Sequence, residues 1–255
     1  MEADQILDLC LSITGTYEGG KPSYQTMASG QDGAGGSFGI LQWNPGTGTL
    51  QQLVALIGTS MGWAKARSFF KCDIQAFSKM GTAEGIAFSK SHFLDTSHPV
   101  QLPLTPEARA AWMAFLSTPE AIAAERSLAE STTLAHAQRM AAKFTPADKD
   151  RTRVISFFFD LATQQGSMLS IPVSATPSPA AALAYAQTQD PVCAEQWAEV
   201  VKSDPLAATL LYYGYERARL ARSQYVWGCM SRRGCIATRV GICQKRKIDF
   251  TALLD

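Results

Sequence analysis

Histidine is scarce in this chain. There are three in 255 residues, His92, His98 and His136, and none lies beside the cysteine-rich C-terminal stretch. The six cysteines, Cys10, Cys72, Cys193, Cys229, Cys235 and Cys243, match no zinc module in spacing. No metal ligands are therefore assigned, and no cofactor is called for. The thiols are read as a structural disulfide or as buried thiols, with the pairing left open. An excess of charge of one sign is also missing, since the formal net charge is +1. A membrane span is excluded: residues 163–189 carry no charge, but Pro172, Pro177 and Pro179 and many Ser, Thr and Gln residues interrupt them. No internal repeat is found. The N-terminus, Met1-Glu2-Ala3-Asp4-Gln5, is acidic where a secretory signal is basic, and the apolar segment behind it holds Asp8 and no clear cleavage site. The expectation is a protein made in the cytoplasm without a signal peptide. It then stays there, leaves by a route needing no such peptide, or is a piece of a longer chain.

Apolar residues at 46% and charged residues at 18% describe an ordinary globular protein. The length is enough for a large core, in one large domain or two small ones. The pattern is mostly helical. Leu7, Leu9, Cys10 and Ile13 fit an amphipathic first helix ending near Gly15. Residues 17–46 are rich in Gly, Ser, Asn and Pro, with alternating runs at 24–27 and 38–43, and read as a loop or small β-hairpin region. Leu50, Leu53, Val54 and Ile57 restart a helical spacing. Thr105-Pro106-Glu107, Thr118-Pro119-Glu120 and Thr145-Pro146-Ala147-Asp148 each set a hydroxyl cap before Pro and an acid in the first turn. Val154, Ile155, Phe157, Phe158, Phe159, Leu161 and Ala162 place apolar side chains all round the helix that follows, as a central buried helix has. Residues 167–180 read as a loop, a helix resumes at Ala181, and two further helices cover 191–202 and 205–226.

The stretch with most chemistry in it begins at Glu18. Tyr24 follows, and then the run Asp32-Gly33-Ala34-Gly35-Gly36-Ser37-Phe38-Gly39-Ile40-Leu41-Gln42-Trp43-Asn44. Two carboxyl groups facing each other across a cleft can cleave a glycosidic bond. Glu18, read as lying just past a helix end and partly shielded by Tyr17, suits a protonated general acid. Asp32, among glycines and solvated, suits an ionised base acting on a water that Ser37 holds. Gln42, Asn44 and Thr49 can bond sugar hydroxyls or acetamido groups, and Trp43 or Tyr24 can offer a ring face. Plainer readings stand beside these. A Glu after a helix is ordinarily a solvated acid, and Asp-Gly ordinarily a turn. The glycine run lacks the further acids of a cation loop and the Lys-Ser/Thr of a phosphate loop. Phe38, Ile40, Leu41 and Trp43 fit a core better than a sugar platform. The basic residues from Arg217 to Lys247 read as a solvated helix face; they form no recognisable nucleic-acid motif, and no nucleic-acid partner is expected.

Tyr24, seven residues and then Asp32-Gly33-Ala34-Gly35-Gly36-Ser37 closely resembles the signature of chitosanases in the lysozyme superfamily. The resemblance implies Glu18 as general acid, Asp32 as the base activating water for inverting attack, and Ser37 orienting that water. The gap from Glu18 to Tyr24 is shorter than in typical chitosanases, and Gly19 replaces the usual polar residue. Residues 37–44 with 46–51, residues 159–167 and the C-terminal 217–222 with 227–236 resemble bacterial peptidoglycan-degrading domains. On that resemblance Gln165 joins Tyr24, Gln42, Asn44 and Thr49 as a substrate contact. Several such domains are antibacterial toxins delivered by type VI secretion, which implies a secretion apparatus and an immunity protein as partners and action in the periplasm or cell wall of a target bacterium. The fold expected is α+β and mostly α. It is a single lysozyme-like catalytic domain over 1–255, with a small β-rich lobe at about 17–46 flanking the active-site cleft and a helical body elsewhere. The function expected is a muramidase-type hydrolase acting on peptidoglycan glycan strands without a cofactor or membrane insertion. A chitosanase or chitinase, or a lysozyme-like domain that only binds glycan, is the alternative. Chitosan is polycationic, and only Glu18 and Asp32 supply acids near the motif, which favours the acetylated wall polymer.

Overall fold

The computed structural model describes residues 3–19, 23–144, 152–165 and 177–254, and of residues 3, 18 and 19 the backbone alone. The chain is mostly helical with two small antiparallel hairpins. It divides into two compact units, one of Met1–Tyr17 with Thr132–Asp255 and the other Glu18–Ser131. Among the described residues no helix is long and apolar enough to cross a membrane.

Helix α1 (Ala3–Gly19) buries Leu7, Cys10, Leu11, Ile13 and Tyr17, positions three and four apart on one stripe. It does not stop near Gly15, as its sequence predicts, but runs through Glu18. A mid-helix glycine costs only about 1 kcal/mol. The last turn is held by Thr16, whose hydroxyl donates to the Ser12 carbonyl at 2.7 Å. The buried Tyr17 holds it too, with a hydroxyl that donates to the Arg232 carbonyl at 3.3 Å.

In the unit Glu18–Ser131, β1 (Met27–Ala28) and β2 (Ser37–Phe38) pair antiparallel, Met27 opposite Phe38 and Ala28 opposite Ser37. Six helices follow: α2 (Thr49–Met61), α3 (Trp63–Ser68), α4 (Ile74–Phe77), α5 (Thr82–His92), α6 (Pro106–Leu116) and α7 (Pro119–Leu128). Leu50, Leu53, Val54 and Ile57 of α2 are buried as their spacing predicts. The Thr105 and Thr118 hydroxyls accept from the Ala108 and Ala121 N–H groups at 3.2 Å each, so these two expected helix starts are present. The core is aromatic. Trp112 of α6 meets Phe38 at 4.3 Å and Phe93 at 5.3 Å between ring centres, which ties the short strand β2 to a long helix.

A π-helical stretch, Ala129–Leu134, leads the chain to α8 (Ala135–Ala141), α9 (Thr152–Gln165), α10 (Ala180–Gln189), α11 (Pro191–Ser203), α12 (Pro205–Ala218) and α13 (Val226–Thr238). Strands β3 (Val240–Cys243) and β4 (Arg246–Asp249) then form the second hairpin. Every residue of α9 from 153 to 161 is buried, which makes it the central helix that its composition predicts; α8 and α13 pack on it. The helix start at Thr145 and most of the loop at 167–180 lie outside the described residues. The helix expected over 205–226 ends at Ala218, and a 3-10 turn, Ser223–Tyr225, precedes α13.

The basic stretch is not uniformly a solvated face. Arg232 and Arg233 are buried. Arg232 is ion-paired through Nε and Nη2 with the buried Asp160 Oδ1 and lies 4.8 Å over the Tyr17 ring. Arg233 donates to Gln164 Oε1 at 3.1 Å, and burial pushes its guanidinium down to about 10. Ion pairing to a buried acid 72 residues away leaves no local trace, so Arg232 has the look of a surface cation in the sequence alone. All six cysteines are free thiols, and all but Cys72 are buried.

Candidate active site

Asp32 is exposed and heads a turn whose shape is set by hydrogen bonds. Its Oδ1 accepts from the Ala34 N–H at 2.9 Å, an Asx turn of the kind Asp favours. The Gly33 N–H donates to the Gly30 carbonyl at 2.9 Å and the Gly46 N–H to the Ala34 carbonyl at 3.1 Å. The buried Ser89 hydroxyl of α5 donates to the Gly35 carbonyl. At Gly35, φ is 91° and a Cβ would meet Pro45 Cγ at 3.1 Å, so both the backbone conformation and the close approach require glycine. The turn delivers the chain to Ser37, which is 9% exposed and paired in β2. A carboxylate on such a turn is open to solvent, poor in neighbouring side-chain bulk and fixed in position.

The next turn is closed as tightly. The Phe38 N–H donates to the Trp43 carbonyl at 2.9 Å and the Gln42 N–H to the Gly39 carbonyl at 3.1 Å. Gln42 has φ 57°, and its Nε2 donates to the Gly39 carbonyl at 3.1 Å. Phe38, Ile40, Leu41 and Trp43 are all buried, so they serve the core. Asn44 Oδ1 accepts from the Thr47 N–H at 3.0 Å and caps the short turn Pro45–Thr47. Thr49 Oγ1 accepts from the Asn44 N–H at 3.3 Å and lies 2.8 Å from Thr47 Oγ1. Tyr24 is half-buried, and its hydroxyl accepts from Arg126 Nη1 at 3.5 Å. Asp32, Ser37, Tyr24, Gln42, Asn44 and Thr49 thus belong to one unit, four of them engaged in fixing its loops.

One carboxyl group of this unit escaped sequence reasoning. Glu125 of α7 is 0% exposed, and its Oε2 accepts from the Ile40 N–H at 2.8 Å. Burial pushes its pKa well above the usual carboxylate range, against the opposing Ile40 hydrogen bond. A Cβ on Gly39 would stand 2.6 Å from that oxygen, so the glycine lets the acid reach the loop. In the fold Glu125 shares the buried stripe of Ala121, Ala124 and Leu128, but its partner Ile40 lies 85 residues away and leaves no mark in the local sequence. Ser89 was missed in the same way.

Glu18 lies in the last turn of α1, not just past a helix end, and its side chain lies outside the described atoms. Gln165 belongs to the other unit. There it lines a cavity of about 360 Å³ with Gln164, Tyr225, Arg232 and Gln244, a set of amides, a ring and a guanidinium that suits hydroxyl- and amide-bearing ligands. Gln244 Nε2 donates to the Tyr17 carbonyl at 3.5 Å. Among the described residues no group of three or more His, Cys, Asp or Glu is placed to hold a metal ion. Comparison with family models, with curated proteins and with solved structures finds no match.

Proposed function

We propose that the chain is a lysozyme-like glycoside hydrolase that cuts the glycan strands of peptidoglycan, with Glu18 as general acid and Asp32 as base through a water. The observation that carries this reading is Asp32, an exposed carboxylate on a hydrogen-bonded glycine turn that ends in Ser37. A base must be solvated enough to stay ionised and held still enough to aim a water. Inversion then requires the Glu18 and Asp32 carboxyl groups about 6.5–9.5 Å apart, whereas about 5 Å belongs to a covalent, retaining route. Taken by itself, the cavity beside Gln165 in the other unit has the amides and the tyrosine ring to take the hydroxyl, acetamido and ring faces of a saccharide. Delivery by type VI secretion to a target cell wall, with an immunity protein protecting the producer, completes the proposal.

Purified peptidoglycan digested with the protein and analysed by mass tests it, beside chitosan as a second substrate. Fragments with reducing-end muramic acid are expected. Reducing-end glucosamine on the wall polymer would assign a glucosaminidase instead. Release from chitosan alone would assign a chitosanase, and no release from either polymer would leave a glycan-binding domain.

A further inference from the structure

Three cysteines of the unit Met1–Tyr17 with Thr132–Asp255 gather where α11, α13 and β3 meet. Cys193 stands in the first turn of α11, with its N–H bonded to the Asp190 cap at 3.1 Å. Its sulfur accepts from the Ile242 N–H at 3.4 Å. Cys235 lies on α13, fully buried. Gly241 of β3 makes the space they share: a Cβ there would stand 2.8 Å from Cys235 Sγ and 3.2 Å from Cys193 Sγ. Both sulfurs therefore border the same small space beside Gly241. Cys243, the third, is instead turned to the Ser231 hydroxyl at 3.4 Å.

We propose that Cys193 and Cys235 are the paired sites of a disulfide that ties α11 to α13. The two residues are far apart in sequence and adjacent in space, with a glycine clearing the volume between two helices. The chemistry is asymmetric in a useful way. The Ile242 N–H donates to Cys193 Sγ at 3.4 Å and favours its thiolate, while burial pushes the Cys235 thiol up. Cys193 is therefore the nucleophile, at a helix N-terminus that favours a thiolate. The oxidant is a low-molecular-weight disulfide, RSSR. Cys193 thiolate attacks one of its sulfurs and expels RS⁻, giving a mixed disulfide. Cys235 then loses its proton, attacks Cys193 Sγ and expels the second RS⁻. Two protein thiols are oxidised, one RSSR is reduced to two RSH, and the two protein protons end on the leaving thiols.

The test uses the full chain, purified reduced and then equilibrated in a glutathione buffer rich in the oxidised form. After denaturation and alkylation, two of the six thiols should be blocked, and mapping should find one crosslinked peptide pair carrying Cys193 and Cys235. The oxidised protein should melt about 5–10 °C above the reduced one, and Cys193→Ser and Cys235→Ser should each abolish that increment. Six reactive thiols after equilibration, a dominant bridge that includes Cys243, or an undiminished increment in Cys193→Ser would each overturn the proposal. The alkylation count on the unmutated chain decides the matter even if a serine variant fails to fold.

Discussion

Replacing Glu125 by alanine and by glutamine separates two roles that a buried carboxyl group can have. Its Oε2 is the acceptor for the Ile40 N–H at 2.8 Å, and the residue is wholly buried. Alanine leaves that N–H without a partner, which costs about 1–3 kcal/mol. The cavity adds on the order of 1–2 kcal/mol. A total loss of roughly 2–5 kcal/mol is expected at pH 7. Glutamine keeps a carbonyl acceptor in the same place and carries no charge. Because burial raises the folded-state pKa, the folded protein holds a proton that the unfolded one releases near pH 4.3. The unfolded state then binds fewer protons, so wild-type stability falls as pH rises from that value through the folded pKa, by up to about 1.4 kcal/mol per pH unit. The Gln variant lacks that slope and should match or exceed wild type at pH 7. Urea denaturation followed by tryptophan fluorescence between pH 5 and 8 reads both effects. A Gln variant as damaged as the Ala variant, or a wild-type-to-Gln difference that does not change over this range, would refute the reasoning.

Further outcomes follow from the same geometry. Asp204 pairs with the buried Arg153, its Oδ2 2.6 Å from Nη1, and caps α12 by accepting from the Ala207 N–H. Burial opposes ionisation there, but Arg153, the Ala207 N–H and Arg239 outweigh it and hold the carboxyl below its usual range. Asp204→Ala should cost about 3–5 kcal/mol at pH 7. That contribution is complete above pH ~4 and is lost as pH falls through the lower folded pKa. The two denaturation curves should therefore converge in acid, and a gap unchanged down to pH ~2 would contradict the pairing. Gly39→Ala forces a Cβ against Glu125 Oε2 at a residue with φ 79° and should cost about 2–4 kcal/mol by denaturation; a neutral effect would mean that the loop yields freely. Asp32→Asn should abolish glycan cleavage while leaving the melting temperature within about 2 °C, because Oδ1 can still accept from Ala34. Normal cleavage rates would remove Asp32 as the base.

What the sequence shows by itself is what depends on neighbours along the chain. Thr105 and Thr118 cap their helices because a hydroxyl before Pro can do little else there. The helix α9 is central because Val154, Ile155, Phe157, Phe158, Phe159 and Leu161 leave it no wholly polar face. The β1–β2 hairpin announces itself by glycines that only turns use. The remainder depends on partners distant in sequence. Arg232 looks like a surface cation until Asp160, 72 residues away, is beside it. Glu125 looks like a helix-surface acid until Ile40, 85 residues away, donates to it. The β3–β4 hairpin turns on Gln244 and Lys245, with φ 50° and 64°, where Asn-Gly is the usual sequence for such a turn. Of the candidate site, the order Glu18, Tyr24, Asp32, Ser37 is legible in the chain, while Ser89 and Glu125, which brace its loops, are legible only in the fold.

The most direct measurement is release of soluble glycan fragments from purified peptidoglycan by Glu18→Gln beside the unmutated chain, with matched melting curves for the two proteins. Release by the unmutated chain, almost none by Glu18→Gln, and superimposable melting are expected. Undiminished release by a folded Glu18→Gln protein would contradict the assignment of Glu18 as general acid.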